Sequence, residues 1–386
     1  MNNMINDKVN KKYVFLYILP LSLIFCATLC QLYGSENFLF SLLLQVRAGS
    51  IIIFSLIGYY LCKTYKSGSL SKYAFIFSFY CYSVTIIILQ PNEILTIAAT
   101  ILFWPITLWI GEKSRFSIKT FNVTAFIIAL ICNYMSYVTI TSKINENLMM
   151  SLEKGQAVGA ANSIYLILST FPFIFLVSNK KYRIALLVLP ILAFLVANKT
   201  TCLLAALASV VYYFLNDLRY SKNKWKIIAT TILAVWAVVY FSESFIDFES
   251  LWEDINSDVD SGGNGRVDII GNVWSHFLNK GIINLLFGSG YFAVAMDTNL
   301  SAHNDFLEIL YDYGILGLVL FILFWISLIR YRKGLPMESN IYRVYIISLI
   351  IYACTCLGSN FIVQQINMLF FALLWGTIDK YPIDKK

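Results

Sequence analysis

Charge is scarce in this chain. Only 13% of its 386 residues are Asp, Glu, Lys or Arg, against 59% that are hydrophobic. A soluble protein of this length lacks the polar side chains to cover so much apolar surface, so the composition excludes a water-soluble globular fold and implies a polytopic membrane protein. Histidine is rarer still: there are two, His276 and His303. The eight cysteines (Cys26, Cys30, Cys62, Cys81, Cys132, Cys202, Cys354, Cys356) all fall in or at the ends of apolar runs. They read as small packing residues, not as disulfides or metal ligands. Two histidines and no cysteine in the one large loop make a poor transition-metal site, and the acidic stretch EDINSDVD at 253–260 lacks EF-hand spacing. The sequence has no Walker A motif and no GxGxxG, so energy input from a nucleotide is not supported and no cofactor is expected.

What the chain has instead is long apolar runs. A bilayer core of ~30 Å needs roughly 20 apolar residues per helix. Twelve candidate spans follow, at about 13–33, 38–62, 73–90, 93–111, 120–140, 158–178, 184–198, 200–216, 227–241, 305–329, 341–358 and 360–378. The strand alternation of a transmembrane barrel is absent, so the expected fold is all-α, a single integral membrane domain over 1–386. The first run follows MNNMINDKVNKK without a small-residue cleavage site and reads as a retained helix. Twelve spans put both termini on one side. Of the 29 basic residues, 22 then fall in the loops and tails of that side. The opposite side holds Lys143, Lys154, Lys199, Arg266 and Lys280, while Arg47 and Arg343 lie in or at the ends of spans. By the positive-inside rule the basic side is cytoplasmic. The net charge of +7 is thereby explained by orientation, and no nucleic-acid partner is expected.

One outward loop, 242–304, is far larger than the rest and holds both histidines. Loops of this length are rarely mere connections. Its SGGNG at 261–265 reads as a flexible break. The following RVDIIGNVWSHFLNKG repeats apolar pairs at Ile269/Ile270, Val273/Trp274 and Phe277/Leu278, the rhythm of an amphipathic helix lying on the membrane surface. Gly281 is expected to cap it at the C-terminus. Arg266 falls in its first turn, where free N–H groups and the helix dipole favour anions. Two readings stand level: a phosphate contact, or an exposed arginine balancing Asp268.

GSGY at 288–291 turns the chain back, and SAHNDFLEILYDYG at 301–314 leads into the next span. Asp305, Glu308 and Asp312 recur at i, i+3 and i+7 and share one helix face. Acids at the edge of a span suggest a buried polar site, and a histidine beside carboxylates suits a general base. The competing reading is an interfacial histidine with acids snorkelling to water. Three acids on one face favour function for His303. His276 reads as interfacial.

AHNDFLEILYDYGILGLVLF resembles the hallmark of the O-antigen polymerase and O-antigen ligase superfamily, in which a His-Asn pair ends the large periplasmic loop. Three more stretches agree: GNGRVDIIGNVWSHFLNKGIINLLFGSGYF, GQAVGAANSIYLILSTFPF at 155–173, and ANKTTCLLAALASVV at 197–211. In the last of these Lys199 stands where the family usually has arginine, keeping the charge and losing the bidentate fork. The resemblance covers about 150–330.

The resemblance implies a membrane glycosyltransferase whose donor and acceptor are glycans on undecaprenyl diphosphate, working at the periplasmic face of the inner membrane without metal or nucleotide. It implies that Arg266 and Lys199 hold the diphosphate, that His303 takes the proton from the acceptor hydroxyl with inversion, and that Asp305 or Glu308 orients it. Arg47 is a third candidate phosphate contact, and Asn162 and Asp312 are candidates to line the cavity. A polymerase joins repeat units under a possible chain-length regulator; a ligase hands the glycan to lipid A–core. Polymerase is the favoured expectation. A transporter of the same lipid-linked glycan is expected to carry ionisable residues deep in several spans, whereas here they gather at the outward face.

Overall fold

The computed structural model describes residues 118–150, 163–197, 199–220, 266–290, 292–299, 301–331, 339–359 and 365–378, with isolated positions at 108, 224, 225 and 229. Among these residues lie ten helices and no strand. They are α1 (Ile118–Met150), α2 (Ser163–Ile174), α3 (Lys180–Val196), α4 (Thr200–Tyr220), α5 (Arg266–Leu278), α6 (Ile282–Phe287), α7 (Ala293–Thr298), α8 (Asp305–Tyr331), α9 (Asn340–Gly358) and α10 (Gln365–Ile378).

Among the described residues, four stretches are long and apolar enough to cross a membrane: Asn122–Ser142, Thr201–Arg219, Asp305–Arg330 and Asn340–Gly358. The all-helical class and the membrane character expected from composition are therefore present. Of the twelve predicted spans, 13–33, 38–62 and 73–90 lie outside the described residues, as do 93–111 apart from Leu108 and 227–241 apart from Ala229. The predicted 158–178 narrows to the 12-residue α2, whose end tightens into i→i+3 hydrogen bonds at Phe175, Leu176 and Val177. The predicted 184–198 is the 17-residue α3, at the lower limit of length for a crossing.

Small residues set the closest helix pairs. Ala125, Ala129, Cys132 and Ser136 line one buried face of α1. With no bulk there, the backbone of α2 comes near enough for the Cys132 thiol to reach the Ile167 carbonyl at 3.6 Å. Asn133 donates across to Leu186 of α3 at 2.9 Å. Aromatic rings lock α8, α9 and α10: Trp325 stacks on Tyr352 at 4.7 Å, and Trp375 donates from Nε1 to Ser348 Oγ at 2.9 Å.

Helix α4 runs antiparallel to α9. At one end Arg343 meets Asp217 at 3.1 Å, and Asn340 donates to the Phe175 carbonyl at 2.8 Å. At the other end Gly358 lies so close to Thr201 that an added Cβ would collide with it. The bundle thus has a basic end, with Lys180, Arg183 and Arg343, and an opposite end on which Lys199, the start of α8 and the small helices α5–α7 gather.

Helix α8 is not one rod. At Gly314 the backbone takes φ 70° and ψ −173°, which breaks it into a first arm, 305–313, and a second, 315–331. The span expected at 305–329 therefore carries all its acids in the short arm, outside the apolar one.

Candidate active site

Each acid of the first arm of α8 has its own task. Asn304 caps the helix: its Oδ1 accepts the Leu307 N–H at 3.1 Å and its carbonyl accepts the Glu308 N–H at 2.9 Å. Glu308 turns back and accepts the Ala302 N–H at 2.9 Å, a reciprocal arrangement akin to a capping box. Between these two fastenings sits His303. Its φ is 50°, a left-handed conformation unusual outside glycine, and its side chain is exposed. Such a backbone persists only where its neighbours over-determine it, and here the bonds at 302 and 304 do so.

The carboxylates of the arm are buried, with Asp305, Glu308 and Asp312 each at most 1% exposed. Asp305 lies against α9, in electrostatic contact with Tyr352 and the Cys356 thiol. Asp312 accepts the backbone N–H groups of Phe292 at 2.8 Å and Val294 at 3.2 Å, which fastens the start of α7. Glu308 keeps Oε1 buried without a hydrogen-bond partner among the described residues.

The GSGY turn docks on the break in α8. Interrupting the helix at Gly314 leaves the carbonyls of Tyr311 and Asp312 open. They accept the N–H groups of Ser289 and Gly290, each at 3.0 Å. Gly288 has φ 93°, and a Cβ there would strike the Asp312 backbone, while a Cβ on Gly314 would strike Leu286 and Gly288. The two glycines allow two backbones to pass side by side, which is the physical need behind the FGSGY spacing.

Helix α5 confirms the amphipathic pattern. Val273 and Phe277 are buried, and Val267, Ile270, Trp274 and Leu278 are exposed. Gly281 is not its cap. It has φ −63° and ψ 155° and stands at the N-cap of α6, because α5 already ends at Leu278. Arg266 opens α5, with Asp268 in the same first turn.

Sequence reading missed a clasp. Lys280 pairs with Asp297 at 2.6 Å, Tyr311 donates its hydroxyl to the same Asp297 Oδ2 at 2.6 Å, and Lys280 lies 5.2 Å from the centre of the Tyr311 ring. Burial pushes the Asp297 carboxyl up, but the hydrogen bonds from Lys280 and Tyr311 and the charges of Lys280 and His276 outweigh it and hold it below the usual range. The three residues come from separate turns of chain with no shared period, so no local pattern announces them.

The structure gathers Lys199, His303, Asp305 and Glu308 at one end. Lys199 precedes α4, whose Thr201 abuts Gly358, and Asn304 beside His303 donates to the neighbouring Leu357 carbonyl at 3.4 Å. Arg47 and Asn162 lie outside the described residues.

An all-helical membrane protein with a histidine-bearing loop seated on its spans is the class this architecture defines. Residues 185–322 match the O-antigen ligase family, which supports the resemblance to the O-antigen ligase/polymerase superfamily. The matched segment is just over a third of the chain and holds Lys199, the loop and His303. The stretch 155–173 falls outside it. No curated protein matches the chain.

Proposed function

We propose that the protein is a surface-polysaccharide polymerase: a membrane glycosyltransferase that joins undecaprenyl-diphosphate-linked repeat units at the periplasmic face. The single observation that carries this reading is the posture of His303, an exposed imidazole on a left-handed residue fastened on both sides, at the same end of the bundle as Lys199.

In this reading His303 accepts the proton of the acceptor hydroxyl as that oxygen attacks the anomeric carbon. The bond from the anomeric carbon to the diphosphate breaks, and the diphosphate leaves on its polyprenyl lipid with configuration inverted. Lys199, Arg266 and Arg47 offset the charge on the leaving diphosphate. Glu308 contributes by holding the Ala302–His303 backbone, and Asp312 by fixing the turn that covers the arm. The termini and the basic end face the cytoplasm.

A second reading is that of a ligase, favoured by the family that residues 185–322 match. The two differ in acceptor: another lipid-linked unit, or lipid A–core. One experiment separates them. The gene is deleted in its host, and complemented with wild type or His303→Ala at matched expression. The surface glycan is then resolved on a gel. A single repeat unit on lipid A–core is the expected deletion phenotype. Bare core with long chains stranded on the polyprenyl lipid would identify a ligase instead. A full ladder from His303→Ala would remove the assigned general base.

A further inference from the structure

At the basic end two cations pair with one carboxylate, and a third, Arg183, stands within reach of its charge. Lys180 Nζ lies 3.8 Å from Asp217, and Arg343 Nη1 lies 3.1 Å from it. Arg183 donates from Nη1 to the Tyr213 hydroxyl, and its guanidinium carbon is 5.5 Å from the Tyr213 ring centre. The Arg343 guanidinium is 6.0 Å from the same ring. Two guanidiniums therefore share one aromatic ring, one of them also holds the carboxylate, and positive charge is left in excess.

The helix ends add to that excess. Lys180 and Arg183 stand in the first turn of α3, and Arg343 in the first turn of α9; neither turn holds an acid. A helix N-terminus carries positive partial charge, so these cations stand where the dipole disfavours them. Lys180 reaches into solvent with its side chain 64% exposed, but Arg343 cannot, for its side chain is only 11% exposed. Arg183 Nε is buried without a hydrogen-bond partner among the described residues. Burial lowers the proton affinity of Arg183, Asp217 raises it, and Arg343 lowers it again, with a net result below the usual range. A bound anion would relieve each of these costs.

The surroundings select the anion. Tyr182, Ile184 and Val188 are exposed on α3, and Leu204, Leu207, Val211 and Leu215 form an exposed apolar stripe along α4 toward the end that carries Asp217. Such a surface faces hydrocarbon, so the cluster lies where hydrocarbon gives way to headgroups. We propose that Lys180, Arg183 and Arg343 bind the phosphate of an anionic membrane lipid at the basic end of α3, α4 and α9. The guanidinium fork matches phosphate geometry, and basic pockets between spans are suited to such headgroups.

The test uses full-length protein, delipidated in detergent. Phosphatidylglycerol, phosphatidylcholine or inorganic phosphate is added at equal concentration, and binding is read by native mass spectrometry and by the thermal unfolding midpoint. Phosphatidylglycerol is expected to bind about tenfold more tightly than phosphatidylcholine, the equivalent of one charge-assisted hydrogen bond. Arg343→Lys, which keeps the charge and loses the fork, should weaken it. Asp217→Asn, which removes the competing carboxylate, should strengthen it, a response no merely structural role would give. Protection by phosphatidylglycerol alone identifies the lipid as the source of the phosphate; equal protection by inorganic phosphate identifies the free ion. Equal binding of the two lipids with no response to phosphate, or Asp217→Asn binding no more tightly than wild type, overturns the proposal.

Discussion

The Asp312 carboxylate accepts the Phe292 backbone N–H at 2.8 Å, so an acid that sequence places at the edge of a span is spent on fastening a loop helix. Its other oxygen takes Val294 at 3.2 Å. Asp312→Ala leaves both donors unpaired, at a cost of about 2–3 kcal/mol. The expected result is earlier proteolytic cleavage within 288–300 and a lower unfolding midpoint. Asp312→Asn keeps one acceptor and should fall between Ala and wild type.

Glu308 reaches His303 through the backbone of Ala302, where an acceptor oxygen suffices. Glu308→Gln retains such an oxygen and should keep most glycan polymerisation. Glu308→Ala leaves a buried N–H unpaired, about 1–3 kcal/mol, and frees the loop, so chain length should fall sharply. Equal loss in Gln and Ala would show that the negative charge itself is required.

Gly288 and Gly314 interlock, and neither tolerates a side chain. Each lies at positive φ and would drive a Cβ into the other's strand of backbone. Gly288→Ala or Gly314→Ala should cost roughly 2–6 kcal/mol from strain and overpacking together. Loss of folded protein on size-exclusion chromatography after mild heating is the readout.

The clasp between Lys280 and Asp297 is pH-dependent in a defined direction. Because the Asp297 carboxyl is held below the ordinary aspartate value of about 3.9, its contribution is complete above that value and is lost as pH falls through the lower folded value. Amide exchange over 276–298 should therefore rise below about pH 4 in wild type. Asp297→Asn should show fast exchange already at neutral pH, with little further change on acidification.

Lys199 offers charge without a fork. If it binds diphosphate, Lys199→Ala should reduce polymerisation about tenfold or more, the worth of one charge-assisted contact. Lys199→Arg should retain it. Activity unchanged in Lys199→Ala would remove this residue from the leaving-group site.

The sequence by itself determined the class of protein and the place of its landmarks. Run length and scarcity of charge set α4, α8 and α9, because a membrane span is a local requirement on about 20 consecutive residues. Apolar pairing set α5, and the His-Asn and FGSGY stretches pointed to the family, since caps and glycine turns are short-range devices. Only the tertiary structure decided how those pieces are used. It broke α8 at Gly314 and gave Glu308 and Asp312 to loop N–H groups. It paired Lys280 with Asp297. A side chain's partner depends on which distant backbone packing brings within about 3 Å, and no period along the chain encodes that distance.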